Sequence, residues 1–471
     1  MLASLEGLDL LGVPLDRRGA WYQYHHLFRE LVGAESGQSQ PKQAQQLHAR
    51  AAAWCEANGL LELAIDHAQA AGDADRVARL VESLAFPAYA GGRVDTARRW
   101  FQWFEDQKLI ERYPPVAVLG ACLQALVGQP ADTERWAAAA ELGSAAGTLK
   151  RPSTVEGLMA LLRALLCRGG VNRMCADAQA AVATLRPGSP WRATALLLEG
   201  IAYLLAGEAE WADAVLAHTV EVATHTGALP AVAVALAERS LIAMERHDWM
   251  QAETLAERAL AIVRAGQLDD YVVSLFIRAV TARVALHQSD VPRAREQLAR
   301  AARLRPLLSY ATPYLTVQTL LELGRAYLAL DDAAGAKETL REARDILHLR
   351  PDLGVLPEQA DELRSKLDTV REQSIGASSL TRAELRVLPL LSTHFTFREI
   401  GERLYLSHNT VKKHALSVYH KLGVSSRSEA VQRAQQIGLV PLSLIRWPAW
   451  LHAADRHHLG RKPFPATPRP E

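Results

Sequence analysis

Between Ser407 and Arg427 the chain reads SHNTVKKHALSVYHKLGVSSR. Five of these side chains carry the chemistry needed to read a DNA base edge: Asn409, Lys412, Lys413, Leu416 and His420, at spacings of 3, 1, 3 and 4. A lysine ammonium donates to guanine O6 and N7 or to phosphate, and a leucine packs on a thymine methyl. The spacing is that of one helix face. A plainer alternative makes the lysines a solvated face and Leu416 a stray exposed leucine, which is common.

Other chemistries find less support. His25 and His26 with Glu30 have metal-ligand types, but the run Trp21 to Phe28 reads as a packed amphipathic helix that starts a helical array. His457 and His458 are a surface pair without further ligands. Cys55, Cys122, Cys167 and Cys175 lack CxxC spacing and read as reduced core thiols of a cytosolic, cytoplasmic protein. No GxxxxGK[ST] occurs, and GAESGQSQ (33–40) lacks the Lys-Ser/Thr pair, so no phosphate-cradling loop and no cofactor are expected. No Ser/His/Asp or paired-carboxylate arrangement stands out. The chain is therefore read as no enzyme, with no catalytic, cofactor-binding or metal residues.

The elements that must position the 407–427 stripe are legible from caps. Thr381/Glu384, Thr396/Glu399 and Ser426/Glu429 are three capping boxes, and Ser407 is a fourth N-cap. They mark helix starts near 382, 397, 408 and 427. The first helix turns Leu385, Leu388 and Leu391 inward; the second, Ile400 and Leu404; the third, Val411, Ala415, Val418 and Leu422; the fourth, Ala430, Ala434 and Ile437. Gly423 and Gly438 end the last two. Tyr405 to Ser407 joins the second and third in a short turn, a helix-turn-helix whose later helix can enter the major groove. Residues 380–440 hold nine Lys/Arg against four Glu, a net +5, on a chain of net +1. A basic end on an acidic body points to a polyanion partner.

With 471 residues the chain exceeds a single core. Ala and Leu dominate a 49 % hydrophobic composition, which suits an all-α protein. GEAEWADAVLAHTV, RHDWMQAETLAERAL, QSDVPRAREQLARAA and LDDAAGAKETLREA align without gaps, so an acidic residue precedes a small one by four at Glu208/Ala212, Asp248/Ala252, Asp290/Ala294 and Asp332/Ala336. The acid sits where it can cap the helix start. Each unit holds an earlier helix too, so stacked pairs form a TPR-like solenoid with a concave surface for a ligand or a protein. Weaker copies are read at Asn172/Ala176 and Arg93/Ala97. No apolar run is long enough to span a membrane, and no signal peptide is apparent.

LTRAEL (380–385), REIGERLYLS (398–407), NTVKKH (409–414) and KLGVSSRSEAV (421–431) resemble the DNA-binding domain of LuxR-type regulators. The resemblance implies a four-helix LuxR-type domain on double-stranded DNA, with Lys412, Lys413 and Leu416 as base readers. It implies that Ser407, Thr410, His414, Lys421 and Arg427 lie near phosphates or hold the helix. It makes the fourth helix a homodimer contact through Ala430, Val431 and Ala434, and RNA polymerase a partner. The chain departs from the family at Ala383, His394 and Gly401, where Arg, Gly and Ala are usual. His394 would occupy a positive-φ turn position, and Gly401 costs its helix about 1 kcal/mol.

VPLDRRGAWYQYHHLFRELV (13–32) and HARAAAWCEANGLLELAIDHAQAAGD (48–73) resemble the region after the ATPase module of MalT-like regulators. The implied order is a helical segment at 1–75, a repeat array at 76–350, a linker at 351–379, the output domain at 380–440 and a disordered tail at 441–471. With no P-loop, the chain is expected to be a truncated relative or an incomplete gene model; its abrupt start favours the latter. Function follows as a transcriptional regulator that senses a small-molecule inducer or a protein on the array and binds promoter DNA. The alternative is an interaction scaffold with a degenerate DNA-binding domain.

Overall fold

The computed structural model describes residues 12–14, 22–24, 41–145, 152–369, 380–436 and 438–440. They belong to two compact units, Met1–Leu84 and Ala85–Glu471. In the first, β1 (Gly12–Pro14) pairs antiparallel with β2 (Tyr22–Tyr24), Val13 opposite Gln23. The stretch expected to open a helix at Trp21 thus holds a strand at its start, and residues 1–75 are not purely helical. Tyr22 and Tyr24 flank Gln23 at the period-two spacing of a strand, a signal too short to outweigh a helical context. His25, His26 and Glu30 lie outside the described residues. Next come α1 (Pro41–Ala57) and α2 (Leu61–Ala71), packed on each other with Ala52, Ala64, Ile65 and Ala68 buried. The following helix, α3 (Ala74–Ala90), begins in this unit.

The second unit continues with α4 (Val94–Asp106), α5 (Pro114–Leu126), α6 (Pro130–Ala145), α7 (Pro152–Leu166), α8 (Gly170–Thr184), α9 (Pro190–Leu205) and α10 (Ala209–His225). It goes on through α11 (Leu229–Glu245), α12 (Trp249–Ala265), α13 (Val272–His287), α14 (Val291–Leu304), α15 (Pro313–Ala329) and α16 (Ala333–Leu349). Neighbours pack as antiparallel pairs: α5 with α6, α7 with α8, and so on to α15 with α16. The repeat signature is the buried stripe of each pair's second helix. Ala212, Leu216 and Thr219 in α10 recur as Ala252, Ala256 and Ala259, as Ala294, Leu298 and Ala301, and as Ala336, Leu340 and Ala343.

Upstream the stripe recurs as Thr133, Ala137 and Ala140 in α6, and as Ala97, Phe101 and Phe104 in α4. The copy at Arg93/Ala97 is therefore in register. The copy at Asn172/Ala176 is not: both residues are exposed, and Met174, Ala178 and Ala181 form the stripe of α8. Asp248, Asp290 and Asp332 accept from the backbone N–H groups of Gln251, Arg293 and Gly335 at 3.0, 3.1 and 2.8 Å. Glu208 makes no such bond. Its side chain is one methylene longer than the cap geometry takes.

The array does not stop at Leu349. Residues 356–369, expected as linker, form α17 (Leu356–Thr369), which packs on α15 and α16 with Leu356, Ala360 and Leu363 buried. A helical array ends on an uncovered apolar face, and α17 covers it. Nor is the interior an open concave groove. α11, α13 and α15 are buried on nearly every face. The superhelix closes on itself: the Tyr271 hydroxyl donates to the Tyr89 carbonyl, and the Val355 N–H donates to the Leu205 carbonyl at 2.9 Å.

The C-terminal domain comprises α18 (Arg382–Leu391), α19 (Phe397–Leu404), α20 (His408–Leu422) and α21 (Arg427–Gln436). Its core joins Leu385, Leu388, Leu391, Ile400, Val411 and Val418. Arg305, fully buried in the short 3-10 turn after α14, ties this domain to the array. Its guanidinium donates to Glu342 at 3.1 Å and to the Leu380 carbonyl at 2.9 Å, while Arg382 donates back to the Pro306 carbonyl at 3.0 Å. Residues 441–471 lie outside the described residues. Among the described residues no helix is long and apolar enough to cross a membrane.

Candidate nucleic-acid interface

The site is built from the caps inward. The Thr381 hydroxyl accepts from the Glu384 N–H at 3.3 Å, and the Glu384 carboxylate accepts from the Thr381 N–H at 2.7 Å. Thr396 and Glu399 repeat the same exchange at 3.3 and 2.7 Å. The third box is shifted. Ser426 Oγ accepts from the Glu429 N–H, but the Glu429 carboxylate accepts from the N–H of Ser425, one residue earlier.

Between α19 and α20 the chain turns in three residues. Tyr405 takes the left-handed conformation at φ 55 and is 87 % exposed. Ser407 Oγ then accepts from the Thr410 N–H at 3.1 Å and starts α20. Gly401 is more than a tolerated weakness here, because a Cβ on it would stand 2.5 Å from the Leu406 carbonyl oxygen. The Leu406 N–H donates to the Gly401 carbonyl at 2.8 Å, and the turn is this tight because the residue has no side chain. His394 was expected at a positive-φ turn position; it has no positive φ, and Tyr405 takes that role in this domain.

On α20, Val411, Ala415 and Val418 are buried, so the opposite face points outward. Asn409, Lys412, Lys413, Leu416 and His420 are all exposed, Leu416 at 55 %. Thr410 and His414 are half-buried along its border, and the Thr410 hydroxyl is hydrogen-bonded to Ser407 at 2.7 Å. One continuous face therefore carries the five residues chosen for base-reading chemistry.

Of the two alternatives for Lys421 and Arg427, near phosphates or holding the helix, their bonds are those of the second. Lys421 donates to Glu384 at 2.8 Å. Arg427 donates to the carbonyls of Leu391, Phe395, Leu390 and Thr393, between 2.6 and 3.3 Å. Those carbonyls include the last ones of α18, which have no partner within their own helix. Lys421 and Arg427 thus hold the domain together and do not line the exposed face. The residues expected at a dimer contact also divide. Ala430 and Ala434 are fully buried against α18 and α20, so only Val431, partly buried, reaches the surface of α21.

Glu384 is the residue whose importance the cap pattern understated. Besides its cap, its carboxylate accepts from Ser417 Oγ at 2.7 Å and from Lys421 Nζ at 2.8 Å, both on α20. Burial works against its charge, but Lys421, Ser417 and the Thr381 N–H outweigh it and hold the carboxyl below its usual range. One carboxylate thereby fixes the start of α18 and the direction of α20. The spacing of Ser417 and Lys421, one helical turn apart, was the available signal.

Comparison with known families fits this geometry. Residues 378–434 match the profile described as bacterial regulatory proteins, luxR family. The C-terminal domain is a LuxR-family helix-turn-helix. Residues 1–44 match the MalT winged helix domain, so this chain carries LuxR-family and MalT-type elements at its two ends.

The transcriptional regulatory protein LiaR of Bacillus subtilis (strain 168) is 37 % identical over 81 residues, 17 % of this chain and 38 % of that protein. The HTH-type transcriptional regulator MalT of Serratia proteamaculans (strain 568) is 41 % identical over 63 residues, 13 % of this chain and 7 % of that protein. MalT of Vibrio campbellii (strain ATCC BAA-1116) is 28 % identical over 124 residues, 26 % of this chain and 14 % of that protein. The chain therefore spans well under half the length of these relatives. At the coarser level the C-terminal domain is of the LuxR-type DNA-binding class, and neither profile is that of a catalytic domain.

Proposed function

We propose that this protein is a cytoplasmic transcriptional regulator that binds promoter DNA through the exposed face of α20, as a homodimer acting on RNA polymerase, and senses a ligand or partner through its helical array. The observation that carries it is the exposed stripe Asn409, Lys412, Lys413, Leu416 and His420, on a helix whose start and direction Ser407 and Glu384 fix. Lys412 and Lys413 supply donors for guanine edges or phosphates, and Leu416 an apolar contact for a thymine methyl. The dimer contact then centres on Val431 and its polar neighbours on α21, since Ala430 and Ala434 are used internally.

The test is fluorescence anisotropy of the full chain on duplexes selected from a random pool. Affinity should fall steeply with salt through counterion release. Lys412→Ala should weaken binding to the selected duplex by about 1–3 kcal/mol with the helical circular dichroism unchanged. Unchanged affinity in that variant would remove α20 from the groove, and no selectable duplex at all would favour a scaffold.

A further inference from the structure

Where Val355 closes onto Leu205, the array holds a pocket of about 140 Å³ with the exposed Gly207 and Glu245 at its rim. We propose that this cavity binds a small aliphatic α-amino acid in its zwitterionic form. The proposal deepens the ligand-sensing part of the function above by naming a site and a ligand class.

The charge on the wall comes first. Glu245 and Glu322 face it from α11 and α15, and Arg283 and Arg325 from α13 and α15. Two carboxylates and two guanidinium groups sum to zero, so a ligand that carries one charge of each sign leaves that balance unchanged. Both guanidinium groups donate to Glu322, and Arg325 also donates to Gln359 at 3.0 Å. Burial opposes the Glu322 charge, but the two arginines outweigh it and keep this carboxyl below its usual range. Each guanidinium has five N–H donors, so both retain donors for a carboxylate. Glu245, exposed at the end of α11, makes no hydrogen bond or ion pair among the described residues and offers its carboxylate to an ammonium at the rim.

The second observation is an unpartnered polar side chain on the wall. Gln318 lines the cavity, is only 6 % exposed, and uses its amide N–H on Glu238 at 3.1 Å. Its carbonyl oxygen has no partner, and neither has the second oxygen of the fully buried Glu238. A buried acceptor left empty costs about 1–3 kcal/mol, and a turn of the Gln318 amide towards the pocket lets a ligand N–H recover it. An ammonium has three such donors and needs no acceptor in return.

The rest of the wall decides the ligand's body. Leu204, Leu205, Leu241, Val355 and Leu356 are aliphatic. A polyol would satisfy the polar groups but leave these faces without an apolar partner, whereas an aliphatic amino acid meets both. The volume has room for roughly ten non-hydrogen atoms, at one water-sized site each, which fits alanine through leucine and methionine. Val355 and Leu356 lead directly into α17, so an occupant touches the segment that closes the superhelix.

Titration calorimetry of the full chain without DNA tests this, with L-alanine, L-valine, L-leucine and L-methionine as probes. At least one should bind at one per chain. 3-Methylbutylamine and 4-methylpentanoate, which keep the leucine body and one charge each, should bind at least tenfold more weakly. Glu245→Gln should weaken the amino acid at least tenfold with the unliganded melting temperature unchanged. The proposal falls if none of the four binds, if either single-charge analogue matches the amino acid, if glucose binds in preference, or if Glu245→Gln has no effect. DNA affinity is read in a separate titration, so a failed cavity leaves the DNA-binding function standing and a failed DNA titration leaves the cavity result standing.

Discussion

Lysine 412 and lysine 421 lie nine residues apart on one helix, yet their surroundings separate their roles. Lys412 points outward from α20, whereas Lys421 is drawn into a bond with Glu384. Removing Glu384 should therefore have a defined pH signature. Its carboxyl titrates lower in the folded domain than the ordinary glutamate value of 4.5. The stabilisation is complete above that value and is lost as pH falls through the lower folded one. In Glu384→Gln, amide exchange in α18 and α20 should be faster than in the parent protein at pH 6, and the gap should close towards pH 3. A gap that persists at low pH would mean that the charge of Glu384 is not what holds α20.

At the scale of the element, the repeat is defined by a cap and a stripe. The four acids that precede their stripes are equivalent in sequence but not in structure. Asp248, Asp290 and Asp332 bond the third residue of their helices, and Glu208 does not. Asp332→Ala should cost about 1 kcal/mol in chemical denaturation, while Glu208→Ala should cost only a few tenths. Equal losses would show that the acids act through the helix dipole alone, which treats both residues alike. The same distinction accounts for α17. Its apolar positions were readable as a helix, but a segment with Pro351, Gly354 and Pro357 nearby resembles a connection until the face it covers is known.

At the scale of the whole array, closure rests on backbones that approach without side chains between them. Gly354, at φ 61, would place a Cβ 1.9 Å from the Leu205 carbonyl oxygen. Gly128, at φ 74, would meet the Leu307 carbonyl oxygen at 2.1 Å in the same way. Gly354→Ala combines an unfavourable backbone conformation with a clash, so it should break the Val355–Leu205 hydrogen bond and loosen the superhelix. A lower melting temperature and a larger radius of gyration in solution scattering are expected. If neither changes, the contact is not part of what holds the array closed.

What short-range physics controls is legible along the chain. Caps act over three residues and helix faces repeat every 3.6, so the four output helices, the outward stripe 409, 412, 413, 416 and 420 and the last four repeat units were legible from spacing alone. A period shows that a helix has a buried face; it does not show what covers that face. Alanine fits either a tight core or a subunit contact, so only packing could turn Ala430 and Ala434 inward. A lysine or arginine near a helix end can meet phosphate or a carbonyl, and only the fold delivered Lys421 to Glu384 and Arg427 to the end of α18. The closure joining Tyr271 to Tyr89 links residues 182 apart. No local pattern encodes such a contact, because it depends on the summed rotation of every helix pair between them.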